Sequence, residues 1–278
     1  MAEKHVLGLS GGKDSAALAI FMRLYYPELE IEYFFTDTGK ELPEVYSYLG
    51  KLEGFLGKKI TRLNAERGFD FWMEQYGNFL PSPNSRWCTK NLKLLPFKKW
   101  VNDMIKKGDT VYSYVAIRAD ESDRQGYSSH HSNLIIKMPF RDDNYNKAAV
   151  FDLLESSGVG IPKYYEWRSR SGCTFCFFQQ KIEWVNLKER HPEAFEEAKE
   201  YERRAIENKS PFLWNQRESL EELEKPQRIL QIKSDYEARK LREKKNKPVN
   251  PLHAGLELDI DELYFADEGN GACDICHK

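Results

Sequence analysis

The sequence predicts an α/β fold, a doubly wound and mainly parallel sheet with a helical C-terminal part. Three observations carry that expectation. Short apolar runs alternate with apolar-periodic segments through the first half of the chain, which implies βαβ units and a parallel sheet covered on both faces. A glycine pair stands between the first run and the first periodic segment, a corner where such folds bring backbone close to a ligand. After about residue 178 the strand pattern stops, and the remainder is charged and helical. A soft boundary therefore separates residues 1–178 from an appendage at 179–278.

The elements follow in order. Residues 3–9 read as a short buried strand, and 15–26 as a helix with Ala16, Ile20 and Leu24 along one face. IEYFFT at 31–36 is a second strand, 43–56 a helix, and ITRLN at 60–64 a third strand. A helix near 92–107 leads into VYSYVAI at 111–117, and NLIIKMPF at 133–140 reads as an edge. KIEWVNLKER, PEAFEEAKEYERRAIE and PQRILQIKSDYEARKLREKK are helical, and a Gly- and Asp-rich tail follows. There is no internal repeat and no low-complexity segment.

Composition bounds the function. The 278 residues, 41% hydrophobic and 13% aromatic, are enough for a real core, which excludes wholesale disorder. Lys and Arg number 42 against 44 Asp and Glu, a net charge of -2, so any nucleic-acid surface must be a local basic face. The N-terminus lacks a long apolar region, and no run of about 18 apolar residues could span a bilayer. The expected location is cytoplasmic, with no membrane partner. There, five cysteines point to metal, redox or sulfur chemistry before disulfides.

SGGKDS, residues 10–15, joins a strand to a helix. Glycines let the backbone approach a ligand, and the N–H groups of a helix start point at anions. The spacing is wrong for a Walker A loop: Gly8 stands one position too near Gly12, and Asp14 follows Lys13 where a hydroxyl should be. Adjacent glycines also rule out the dinucleotide fingerprint. The plain alternative is a tight turn with Ser10 or Asp14 capping a helix. The segment resembles the PP-loop of the ATP pyrophosphatases, whose S-G-G-x-D-S pattern it matches in full. That resemblance implies an adenine nucleotide alpha hydrolase-like topology and ATP cleavage between the α and β phosphates. Ser10, Gly11, Gly12 and Ser15 would cradle pyrophosphate, Lys13 would neutralise it, and Asp14 would help hold Mg²⁺.

Later segments narrow the resemblance. FFTDTGKELPEVYSYL (34–49) resembles the D-T-G segment of the phosphoadenylylsulfate (PAPS) reductase branch, which places Asp37 and Gly39 at a nucleoside. RWCTKNLKLLP (86–96) resembles its Arg-Cys-Cys segment, with Trp87 replacing the first cysteine. AIRADESDR (116–124) is similar to its anion-binding loop, with Arg118 and Arg124 as candidate phosphate or sulfate ligands. IPKYYEWRSRSGCTFCFF (161–178) resembles its closing Gly-Cys-x-x-Cys element. A full ATP-type loop with reductase-like features downstream looks most like the sulfur-transfer ATPases of DNA phosphorothioation, the Dnd and Ssp type. The implied activity is Mg²⁺-dependent adenylylation of a nucleic-acid phosphate, DNA first, for sulfur insertion. The implied partners are a cysteine desulfurase and other DNA-modification subunits. Two rivals stand beside it: a reductase of PAPS or adenylylsulfate, and a nucleotide-gated scaffold subunit of a sulfur-modification complex.

Cys88, Cys173 and Cys176 come from segments that the resemblance brings together. Three thiolates suit a 4Fe–4S cluster with one open iron, or Zn²⁺ closed by Cys273 or Cys276; packed thiols without metal are the alternative. Cys276, next to His277, faintly echoes the mobile catalytic cysteine of the reductase branch, which implies a persulfide relay; a zinc-binding or unimportant tail is the other reading. His130 and His131 read as solvated loop residues. The basic run at 233–247 is a solvated helix face or a surface for DNA or a partner.

Overall fold

The computed structural model describes residues 2–246 apart from 123, 125, 127–130, 171, 216 and 217. Its centre is a five-stranded sheet of order β3-β2-β1-β4-β5, with every neighbouring pair parallel. The strands are β1 (Glu3–Gly8), β2 (Ile31–Asp37), β3 (Thr61–Asn64), β4 (Thr110–Tyr114) and β5 (Leu134–Lys137). The predicted α/β class holds, and the 133–140 segment is indeed the edge, shortened because Pro139 starts a helical turn.

Strand alternation sorts side chains onto two faces. Leu7, Tyr33, Phe35 and Tyr112 join the larger core with α1 (Lys13–Tyr25) and α2 (Pro43–Leu56). Val6, Phe34 and Val111 face the other way and pack with Phe97 and Val101 of α4 (Leu95–Lys106). The sheet is thus covered on both sides. Within α2, Val45, Leu49, Leu52 and Leu56 recur at helical spacing and are all buried, and Gly57 closes the helix in the left-handed region, φ 64°.

One expectation needs correction. α1 has no single apolar face: Lys13 through Met22 are all buried, whereas Leu24, expected on the apolar side, is 52% exposed. The helix lies between α2 and α6 (Lys147–Ser156), so its first three turns are enclosed all round and only its last turn reaches solvent. The short α3 (Phe69–Gln75) and α5 (Pro139–Asp142) complete the sheet half.

Beyond residue 178 come α7 (Lys181–Arg190), α8 (Pro192–Glu207), α9 (Leu220–Leu223) and α10 (Pro226–Asn246). They contribute Trp184, Phe195, Tyr201, Trp214, Leu223 and Ile232 to the same hydrophobic cluster that holds Leu7 and Ile20. Trp214 Nε1 donates to the Ala198 carbonyl at 2.9 Å, and buried Glu202 accepts from the Trp214 and Leu220 amides. No helix among the described residues is long and apolar enough to cross a membrane.

Candidate functional site

The glycine corner lies at the carboxyl end of β1, beside β4, where the strand order reverses and such sheets bind ligands. Gly11 has φ +75°, and a Cβ there would come 2.5 Å from Val45 Cγ1, so the position suits only glycine. Hydroxyls hold the turn closed. The Ser10 amide donates to Ser15 Oγ at 3.1 Å, Ser15 Oγ donates to the Gly12 carbonyl, and the Gly12 amide donates to Ser10 Oγ. Tyr164, fully buried, donates to the Gly11 carbonyl at 3.2 Å.

Lys13 and Asp14 open α1, and both are buried. Lys13 Nζ and Arg118 Nη1 each stand 3.0 Å from an oxygen of the Asp14 carboxylate. Burial pushes this carboxyl up, but Lys13 and Arg118 outweigh it and hold the group well below the usual carboxylate range. Arg118 also pairs with Asp120 at 3.0 Å. Ser10, Gly11, Gly12, Lys13, Asp14, Ser15 and Arg118 therefore form one corner. Arg124 is drawn instead into a knot with Glu121, 3.0 Å away, which also accepts from the Arg118 amide. Asp37 caps the turn after β2: it accepts from the Gly39 amide at 2.9 Å and from Tyr46 at 2.8 Å.

Cys88, Cys173 and Cys176 come near one another, as the resemblance implied. They line a cleft of about 810 Å³, part of it open to solvent, that also takes in Ser10 of the glycine corner. An antiparallel bridge builds this proximity. Glu41 pairs with Cys173, the Leu42 amide donates to the Gly172 carbonyl at 2.8 Å, and the Thr174 amide donates to the Lys40 carbonyl. Gly172 is required here, because a Cβ would lie 2.3 Å from Val45 Cγ2. Arg168, fully buried, donates to the carbonyls of Cys173 and Thr174 from beneath.

Trp87 is buried rather than facing the cleft; its Nε1 donates to the Phe79 carbonyl and its ring stacks on Tyr76. Replacing a cysteine at 87 with tryptophan thus fills core.

Burial keeps Cys88 and Cys176 protonated. Burial raises Cys88 to about 12, and the Cys176 and Cys173 thiols add to the shift against the pull of Lys93. Burial also raises Cys176, although the Phe178 amide and nearby cations work against it. Cys173 Sγ lies 3.6 Å from both Lys93 Nζ and Glu41 Oε1. Among the described residues, no three His, Cys, Asp or Glu side chains form a group ready for a metal ion. Thiolate is the donor that a soft metal or cluster takes.

Sequence reasoning misses Lys40, Glu41, Lys93, Arg168, Gly172 and Trp214, which position or line the cleft. Only Gly172 carries a signal, as a glycine directly before a cysteine. Cys273, Cys276, His130 and the last residue of the basic run at 233–247 lie outside the described residues; the rest of that run is on α10.

Residues 4–132 match the family model of the phosphoadenosine phosphosulfate reductase domain. The match takes in the glycine corner, Cys88 and Arg118 but ends before Cys173. Two uncharacterised proteins of Methanocaldococcus jannaschii are 31% and 26% identical over 198 residues each, 69% and 67% of this chain. The matches span 40% and 44% of those relatives' lengths. An uncharacterised nin region protein of Escherichia phage lambda is 27% identical over 147 residues, 43% of this chain and 50% of its own. Among solved structures, a PAPS reductase from Candida auris in a phosphate complex aligns with TM-score 0.48 and 13% identity, over 61% of this chain and 81% of that one. A tRNA thiolase from Methanococcus maripaludis with a 4Fe–4S cluster gives 0.42 at 17% identity, over 73% and 72%. An NMN synthetase from Francisella tularensis gives 0.41 at 14%, over 75% and 87%. Likeness at that level bears on none of the chemistry.

Proposed function

We propose that this chain belongs to a PAPS reductase-like ATP pyrophosphatase that adenylylates a nucleic-acid phosphate, DNA first, so that sulfur can replace an oxygen there. One observation carries the reading: Ser10 of a complete S-G-G-K-D-S loop and three cysteine thiols line the same cleft. Phosphate handling and sulfur chemistry therefore share one space.

In this reading the backbone at Ser10–Ser15 holds the β and γ phosphates, Lys13 balances their charge, Asp14 would help hold Mg²⁺, which would supply charge neutralisation, and Arg118 serves as a ligand for the α phosphate. The acceptor oxygen attacks the α phosphorus, pyrophosphate leaves, and AMP becomes the leaving group for sulfur. Cys88, Cys173 and Cys176 would hold a 4Fe–4S cluster, which when bound would supply the sulfide-handling chemistry. Sulfur would come from a cysteine desulfurase as a persulfide on Cys276, and an external dithiol reductant would release it as sulfide, leaving the Cys276 thiol and an oxidised disulfide reductant.

A reductase of PAPS or adenylylsulfate is the second reading, favoured by the family match over residues 4–132. Pyrophosphate release separates the two. The purified chain should release pyrophosphate from ATP with Mg²⁺, and Lys13→Ala and Asp14→Ala should each lower the rate about 100-fold or more. Sulfite formation from PAPS without ATP turnover would move the assignment to the reductase. Anaerobic protein should carry iron and sulfide that each Cys→Ser change at 88, 173 and 176 reduces.

A further inference from the structure

The glycine pair gives the phosphate corner a weak point as well as a tight turn. A trans peptide carries its carbonyl and its N–H on opposite sides of one plane. The plane between Gly11 and Gly12 is flanked by two residues without a Cβ, and turning it over would carry Gly12 from φ −97° to a positive value. Most residues resist that turn; glycine does not. Turned over, the plane would offer an incoming phosphate the Gly11 carbonyl oxygen in place of the Gly12 amide, and two negative groups would meet. Tyr164 stands where it can prevent this. Its hydroxyl donates to the Gly11 carbonyl at 3.2 Å, while the Gly12 amide donates at 3.2 Å to Oγ of Ser10, a residue that lines the cleft. The tyrosine is fully buried in the 3₁₀ turn Lys163–Glu166, and its ring stacks on Tyr165 with centroids 4.7 Å apart. Burial pushes its phenol up, so the hydroxyl keeps the proton it donates.

We infer that Tyr164 is a positioning residue of the phosphate loop, fixing the Gly11–Gly12 peptide with its carbonyl turned inward and its amide toward the cleft. The inference rests on the proposed reading of the loop as a phosphate cradle and adds what keeps that cradle in its binding form. The tyrosine acts from 153 residues away, so the turn chemistry of residues 10–15 is completed by a distant part of the chain. The same stretch of chain also serves the cysteines: Arg168, further along it, donates to the Cys173 and Thr174 carbonyls. One segment therefore orients backbone in both regions of the site.

The test compares Tyr164→Phe with Tyr48→Phe in the full chain. Each change removes one hydroxyl from a buried tyrosine and leaves its ring, but Tyr48 donates to the Gly160 carbonyl, at 2.8 Å, rather than to the loop. Titrations with ATP and Mg²⁺, and with inorganic pyrophosphate, give two affinities for each variant. Tyr164→Phe should weaken both by about tenfold, the net worth of one hydrogen bond. Tyr48→Phe should leave both within about twofold, although thermal melting should show a similar loss of stability in the two variants. In turnover, the Tyr164→Phe loss should fall on KM more than on kcat. Equal losses of affinity in the two variants would mean general loosening and overturn the inference, as would unchanged affinity in Tyr164→Phe. A wild-type chain that binds neither ATP nor pyrophosphate would remove the loop's phosphate role and this inference with it. Pyrophosphate release, measured in parallel, reports on the proposed function alone. A wild-type chain that binds ATP without releasing pyrophosphate would sink the pyrophosphatase and leave the affinity comparison to decide on Tyr164.

Discussion

Asp14 is buried and Cys88 half-buried on a cleft that also takes in Ser10 of the glycine corner, and the two are pushed in opposite directions. Burial alone raises the pKa of any acid, carboxyl or thiol. At Asp14 two cations 3.0 Å away reverse the effect and keep the carboxylate charged. At Cys88 the nearest titrating neighbours are other thiols, which reinforce it. The phosphate corner therefore carries its charge already, with its counter-ions in place. The cysteine cleft keeps Cys88 and Cys176 neutral.

The largest effect concerns Cys88 itself. Moving its pKa from 9.0 to about 12 leaves, near neutral pH, roughly a thousandfold less thiolate than an ordinary cysteine carries. In metal-free chain, alkylation of Cys88 followed by mass spectrometry should be slow at pH 7 and rise about tenfold per pH unit. The linkage sign agrees: the folded state holds this proton more tightly than the unfolded state. Stability from Cys88 is therefore present below its ordinary pKa and lost as pH climbs toward 12. Asp14 does the reverse, since its depressed pKa gives stability above the ordinary carboxylate range that is lost as pH falls below it. Labelling of Cys88 at the rate of a free thiol would erase the contrast between the two regions.

The second effect tests how the cleft is held. Arg168→Met should remove the donors that satisfy the Cys173 and Thr174 carbonyls, at about 1–3 kcal/mol for each buried group left unmade. Thermal melting should show the loss, and metal content should fall with it. Lys13→Met in the corner should cost a similar amount, because Asp14 then depends on Arg118. Metal content unchanged in Arg168→Met would mean the Cys173 segment holds its place without that arginine.

These regions also differ in how far the sequence exposes them. The corner is local: Ser10 through Ser15 carry their own turn chemistry, and strand periodicity on either side gives their setting. The strands and α2 with its bounds 43–56 are legible in the periodicity, whereas the nearness of Cys88 to Cys173 and Cys176 comes only from the resemblance. Leu24 misleads because a 3.6-residue period cannot distinguish an enclosed helix from a half-exposed one. Arg118 reads as an anion ligand, but its partner in the fold is Asp14, 104 residues away. Glu41 and Lys93 are invisible for the same reason: they reach Cys173 across 132 and 80 residues, and no periodicity or spacing records a pairing over that separation. Arg168 acts locally, on carbonyls five and six residues along the chain, but nothing in the sequence marks it.

The smallest effect is the most specific, because it turns on one side chain that touches both regions. Val45 presses its Cγ1 toward Gly11 and its Cγ2 toward Gly172, so one isopropyl group sets the spacing of the corner and the cleft wall. Adding a methyl at either glycine overfills that space, at about 1–3 kcal/mol. The two positions differ in backbone. Gly172 has no left-handed torsion, so Gly172→Ala clashes only with the valine, whereas Gly11→Ala also forces a side chain to φ +75°, at roughly 1 kcal/mol more. Shaving the wedge should then separate them. In a Val45→Ala background Gly172→Ala should regain most of its stability, and Gly11→Ala should keep a residual deficit. Chemical denaturation of the two double-mutant cycles measures both numbers. Full rescue at Gly11 would mean its torsion is relaxed in solution, and no rescue at Gly172 would mean that something other than Val45 holds the cysteine segment against the corner.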